Sequence, residues 1–179
     1  MGFWGALEKV YPETRQQRCW QHKTMNVLNC LPKLSQPKAK SAIHNIWQAE
    51  TKADAKKAFD VFIKTYEPKY REYPKAALCL QKDREELMTF FDFPAQHWQS
   101  IRTSNPIESA FATIRHRTKR SKGCLSRDGM LHMMFKLGQC AEQNWRRLRG
   151  FDDLAKVITG VTFKDVLKSS NPARSPHDR

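Results

Sequence analysis

Apolar residues recur along most of this chain at intervals of three and four, the spacing of an amphipathic helix that buries one face. Residues 38–49 carry Ala39, Ile43, Ile46 and Trp47 on one side. Thr51, with Asp54 three residues on, caps a second helix whose stripe is Ala55, Phe59, Phe62 and Tyr66. Pro68 and Pro74 bound a short connector, and a third helix over 75–91 runs through Ala77, Leu80, Leu87, Met88 and Phe91. No glycine interrupts the chain between Gly5 and Gly123. The pattern predicts an α-helical subdomain over 35–93, with its aromatic and methionine positions packed in a core.

The flanking stretches are less regular. The chain opens inside a short helix bearing Phe3, Trp4, Leu7 and Val10 and ended by Pro12. Aromatic residues so near the start, with nothing upstream to pack on, suggest the back part of something longer. Residues 14–20 (TRQQRCW) are the best candidate strand, running through Cys19, Trp20 and His22 into a helix over 23–31 that Pro32 stops. Beyond Phe93 and Pro94, a helix is predicted from Asn105 to about Arg120, with Ile107, Ala110, Phe111 and Ile114 as its buried stripe. A loop containing Gly123 leads to a long helix over 127–149, closed by Gly150. Its stripe is Met130, Met133, Met134, Leu137, Cys140, Ala141, Asn144 and Leu148. Asp152 caps a last short helix, and residues 169–179 have the polar, proline-containing composition of a disordered tail.

Charge sharpens this picture. Among 179 residues, 32 Lys and Arg against 18 Asp and Glu give a net charge of +14, which points to a polyanionic partner. No apolar run approaches the length that crosses a bilayer, and no signal sequence opens the chain, so the expected location is cytoplasmic. Five scattered cysteines read as reduced thiols, not a disulfide framework. The stretch over 102–127 concentrates the chemistry: Arg102, Arg115, Arg117, Lys119, Arg120, Lys122 and Arg127 accompany a single acid, Glu108. A lone carboxylate beside a phosphate-seeking surface suggests a divalent-metal ligand. The competing reading is local: Asn105 as N-cap, Pro106 at the first helical position and Glu108 at the third have capping-box spacing. Residues 115–122 are read as phosphate contacts, and Trp145 among Arg146, Arg147 and Arg149 either rests on a phosphate backbone or packs. Cys19 and His22 have the spacing of half a zinc site, but no second pair follows, so a packed thiol and a hydrogen-bonded imidazole are expected. There is no glycine-rich phosphate loop, nucleophile elbow or HExxH helix.

Two segments together resemble the Mutator-type transposases of bacterial insertion sequences: QRCWQHK, with Cys19 and His22, and RTSNPIES, with Asn105 and Glu108. The resemblance covers roughly residues 2–168. It implies a DNA-cleaving and -joining enzyme that uses Mg²⁺ or Mn²⁺, with an RNase H-like fold interrupted by an α-helical insertion. By that likeness Glu108 matches the glutamate of the family's DDE metal ligands, and Cys19 and His22 match its Cys-x-x-His motif. The fold expected is mostly α, the C-terminal fragment of an RNase H-like α/β domain. Residues 1–34 and 94–168 would belong to the core, 35–93 to the insertion and 169–179 to the tail. The family's two aspartates would lie upstream of Met1. The expectation is therefore a DNA-binding fragment, associated with the nucleoid when bound, that cannot cleave DNA alone because one carboxylate holds Mg²⁺ poorly. Self-association, or docking onto a full-length transposase, is the further partner expected. The alternative is a non-catalytic, basic, helical nucleic-acid-binding protein in which Glu108 only caps its helix.

Overall fold

A computed structural model describes residues 3–69, 75–120, 126–161 and 163. Among these the chain is mostly α-helical and forms no strand. The helices are α1 (Phe3–Val10), α2 (Trp20–Asn29), α3 (Gln36–Trp47), α4 (Lys52–Lys69), α5 (Lys75–Gln81), α6 (Arg84–Met88), α7 (Trp98–Ile101), α8 (Asn105–Arg120), α9 (Arg127–Glu142) and α10 (Leu154–Ile158). The connector over 70–74, most of the loop after α8, with Lys122 and Cys124, and the tail over 169–179 lie outside the described residues.

Helical periodicity carries directly into packing for α2 to α6. α3 packs on α4 and α2, and α5 closes against α2 and α4. Their stripes meet in one core, where Trp20, Ile43, Ile46, Phe59, Phe62, Leu80, Leu87 and Phe90 are almost wholly buried. Each such side chain contributes on the order of 1.5–3 kcal/mol of transfer free energy. The cap of α4 forms as the spacing predicts: the Asp54 amide donates to the Thr51 hydroxyl at 3.1 Å. One core therefore joins α2 to the helices of residues 35–93.

Three departures follow from long-range bonds. Residues 14–19 are not a strand. The Arg18 amide donates to the Glu86 carbonyl and the Trp20 amide to the Arg102 carbonyl, so alternate positions are held by α6 and by the end of α7 instead of one ladder. The single helix expected over 75–91 breaks at a turn before α6 and finishes as a 3₁₀ helix over Thr89–Asp92. Asp83 lies at that break, its carboxylate committed to the Lys23 ammonium in a pair only about a tenth exposed on each side. Finally, α9 stops at Glu142, short of the predicted 149. Gly150 begins the next turn with φ +68, its carbonyl 2.8 Å from His97 Nε2, and a Cβ there would come within 2.7 Å of Gln96 Oε1. Asp152 lies inside the 3₁₀ turn Phe151–Asp153, so Asp153 precedes α10, without a side-chain cap bond.

α8 and α9 pack on each other as a hairpin. Neither contains a buried residue. The stripe predicted to be buried on α8 is instead open: Ile107 is 61% and Phe111 50% exposed, with Ala110 and Ile114 half-buried. On α9, Met130, Met134 and Phe135 are exposed as well. The periodicity fixed the helices, but nothing among the described residues covers their outer apolar faces.

Candidate functional site

The bonds that displace the expected strand also bring two distant segments together. Gln17 Oε1 accepts from the Phe90 amide at 2.7 Å, and the Trp20 indole donates to the Leu87 carbonyl at 2.8 Å, pinning residues 17–20 to the core. The Trp20 amide then holds the Arg102 carbonyl at 2.9 Å, at the end of α7. Ser104 therefore arrives beside Cys19. Its amide donates to Cys19 Sγ, and its hydroxyl oxygen lies beside the same sulfur, each at 3.3 Å.

Ser104 is the centre of this junction. Its Oγ lies 3.2 Å from His22 Nδ1 and donates to Glu108 Oε1. His22 Nε2 lies 3.5 Å from the same carboxylate oxygen. Cys19, His22 and Glu108, from segments more than eighty residues apart in sequence, thus surround one hydroxyl. The Glu108 amide donates to the Ser104 carbonyl, which makes Ser104 the N-cap and moves Asn105 to the first helical position. The capping box expected from Asn105 does not form. Glu108 sits one residue too far along and meets the Ser104 hydroxyl, while the backbone amide that such a box would use is taken by sulfur. Ser104 escaped the sequence reading because Thr103, Ser104 and Asn105 are all competent caps in a row. The available signal was the four-residue offset from Ser104 to Glu108.

Electrostatics at the junction are those of an open surface. The side chains of His22 and Glu108 are 62% and 55% exposed, so their contact stabilises the fold little. Burial works to raise the Cys19 thiol, but hydrogen bonding with the Ser104 side chain and with the backbone and ring of His22 outweighs it, and the thiol is held below its ordinary value. From Glu108 a concavity of about 480 Å³ extends along α8, lined by Asn105, Glu108, Ser109, Ala112 and Arg115. Arg115, Arg117, Lys119 and Arg120 are all exposed and form no ion pair among the described residues. Arg102 differs from them. Its Nη1 donates to the Trp47 carbonyl at 2.9 Å and its guanidinium lies 4.5 Å from the centre of the Trp47 ring. Burial pushes its pKa below the ordinary value. Its position is that of a side chain packed on Trp47. Of the basic run after α9, Arg147 covers Phe151 and Arg149 donates to Gln99, leaving Trp145 60% exposed.

Residues 1–148 match the family model described as transposase, Mutator family. The chain belongs to that family. It is 53% identical over 170 residues to the transposase for insertion sequence element IST2 of Acidithiobacillus ferrooxidans, covering 95% of this chain and 56% of that relative. It is 43% identical over 164 residues to the transposase for IS6120 of Mycolicibacterium smegmatis, covering 91% of this chain and 50% of that one. The chain thus spans about half the length of these curated relatives.

The Mg²⁺ or Mn²⁺ expected from the family can be tested against the donors present. Among the described residues no group of three or more His, Cys, Asp or Glu could hold a metal ion. Mg²⁺ requires near-octahedral oxygen ligation, whereas Glu108 brings one carboxylate and its neighbours are a thiol and an imidazole, which suit softer ions. Asp83 is tied to Lys23, and Asp92 to Arg15 and Lys52. The donor set of the described residues does not fit the ion. No described helix is long and apolar enough to cross a membrane.

Proposed function

We propose that this chain is a segment of the catalytic domain of an insertion-sequence transposase, of the RNase H-like DDE type. In this reading it binds DNA along α8 and supplies Glu108 as one acidic side chain of the strand-transfer site. The observation that carries the proposal is the position of Glu108. It stands exposed at the head of a concavity that it shares with Arg115, about two to three helical turns before Arg115, Arg117, Lys119 and Arg120, which form no ion pair among the described residues. An acid so placed has no use in holding phosphates and weakens that surface by repulsion. Family membership supports a role in DNA transfer, for which the remaining acidic groups, and the Mg²⁺ or Mn²⁺ they would hold, belong to parts of the enzyme beyond this chain. The uncovered apolar faces of α8 and α9 suit a segment that packs against the rest of such a domain, or against a full-length transposase.

The chain alone is expected to bind duplex DNA without cutting it. With about four phosphate contacts, the logarithm of the binding constant should fall with the logarithm of salt concentration with a slope of roughly −3 to −4. Replacing Lys119 or Arg115 by Ala should reduce that slope by about one each. A flat salt dependence removes the DNA-binding reading. Nicking of plasmid by the chain in Mg²⁺ or Mn²⁺, abolished in Glu108→Gln, would show that the chain is catalytically sufficient and overturn its role as a segment.

A further inference from the structure

The geometry points to Ser104 as a positioning residue for Glu108, held in place by Cys19 and His22, so that the Cys-x-x-His pair acts as a hydrogen-bond holder rather than as a pair of metal ligands. This inference rests on the reading of Glu108 as a functional acid, and the observations behind it concern the junction alone. Ser104 has its amide and hydroxyl within 3.3 Å of Cys19 Sγ and its hydroxyl 3.2 Å from His22 Nδ1. A side chain restrained from two directions by one neighbouring segment loses the freedom that an ordinary N-cap serine keeps. The same hydroxyl bonds Glu108 Oε1, and His22 Nε2 faces that oxygen too.

Both contacts fall on Oε1. Among the described residues Oε2 has no bonding partner, and Glu108 lines the concavity next to Arg115. The arrangement therefore fixes the carboxylate by one oxygen and leaves the other free for whatever the α8 surface receives. An exposed glutamate without such restraint samples several rotamers and loses conformational entropy each time it binds. A hydroxyl is well suited to this task. It donates one proton to the carboxylate without adding charge to a basic surface, and its remaining lone pairs face the imidazole. Sulfur, a weak acceptor, serves here as the anchor for the Ser104 amide.

Two measurements separate this inference from the functional reading on which it rests. In the 179-residue chain, three-bond NMR couplings across χ1 of Glu108 should report one dominant rotamer. Ser104→Ala should collapse them to rotamer-averaged values, whereas Ser104→Thr, which keeps the hydroxyl, should preserve them. Averaged couplings in the unaltered chain, or unchanged couplings in Ser104→Ala, would overturn the positioning role whatever Glu108 does. Cys19→Ala provides a second variant and should also loosen Glu108, because it frees Ser104. In a full-length transposase carrying this segment, Ser104→Ala should slow strand cleavage at least tenfold, with Ser104→Thr restoring it to within threefold. If Glu108→Gln leaves cleavage intact, the functional reading fails while the coupling data still judge the holder. If Glu108→Gln abolishes cleavage but Ser104→Ala equals the unaltered enzyme, the positioning role fails alone.

Discussion

Lys23 and Asp83 make a bond that most of the fold leans on. The Lys23 ammonium meets both Asp83 Oδ2 and the Cys79 carbonyl, 3.0 Å away, at the point where α2 crosses the break between α5 and α6. Both side chains are close to 90% buried. Removing one partner strands the other as a buried charge, with Arg18 Nε at 3.9 Å from Asp83 Oδ1 as the nearest remaining cation. Lys23→Met should therefore cost about 3 kcal/mol of unfolding free energy, the usual size for a broken buried pair. Lys23→Met combined with Asp83→Leu should recover most of that, because a well-packed apolar pair needs no compensation. Urea denaturation of the three proteins measures both effects. A loss below about 1 kcal/mol in the single variant would mean that water replaces the missing ammonium. The pair also explains a local misreading. Helical spacing continues through residues 75–91, but the helix is interrupted where Asp83 pairs with Lys23, a tertiary bond that local pattern does not contain.

At the scale of elements, Asp92 ties three of them together. It ends the 3₁₀ helix Thr89–Asp92, pairs with Arg15 of the extended segment through Oδ2, and takes the Lys52 ammonium of the first turn of α4 on Oδ1 at 2.8 Å. Burial works to raise its carboxyl, but hydrogen bonds from Lys52 and Arg15 and their charges outweigh it and hold it below the ordinary carboxylate value. A depressed folded-state pKa stabilises the fold fully above the unfolded value, near pH 4, and that contribution is lost as pH falls through the lower folded value. The melting temperature of the unaltered chain should exceed that of Asp92→Asn by its full margin at pH 6–7. The gap should narrow below about pH 4. A constant gap down to pH 3 would assign the loss to packing instead of charge. How much of the fold was legible follows the same division. Helices α3, α4 and α8 were readable because a 3.6-residue period survives any context, and the Thr51 cap because it is local. The strand over 14–20 was misread because its bonding partners, Glu86 and Arg102, lie far along the chain. Ser104 as N-cap was hidden among three adjacent cap residues, and its bond to Cys19 was hidden by distance along the chain. Its meeting with Cys19 depends on α7 being carried back to α2, which no local pattern encodes, although the family resemblance did group Cys19, His22 and Glu108 in advance.

The whole molecule divides unevenly between a packed body and an open hairpin. α2 to α6 share a core of almost fully buried aromatic and aliphatic side chains, while α8 and α9 bury no residue completely. Local stability follows buried apolar contact, since an amide exchanges through whichever opening costs least. The hairpin can open without disturbing the core, so its amides should not be protected by the global unfolding free energy. Hydrogen–deuterium exchange followed by mass spectrometry should find the peptides of α2, α3 and α4 slowest. Those of α8 and α9 should exchange at least tenfold faster, with the first turn of α8 the best protected part of the hairpin because Ser104 is tied to Cys19. Adding duplex DNA should slow exchange chiefly over residues 105–120, where the exposed arginines and lysine lie. A hairpin as well protected as α4 in the free chain would mean that its apolar faces are covered in solution, and sedimentation at the same concentration would then show self-association. Net charge sets the other limit on that outcome. At +14 two copies repel at low salt, so any association through these faces should strengthen as salt is raised, opposite in sign to DNA binding.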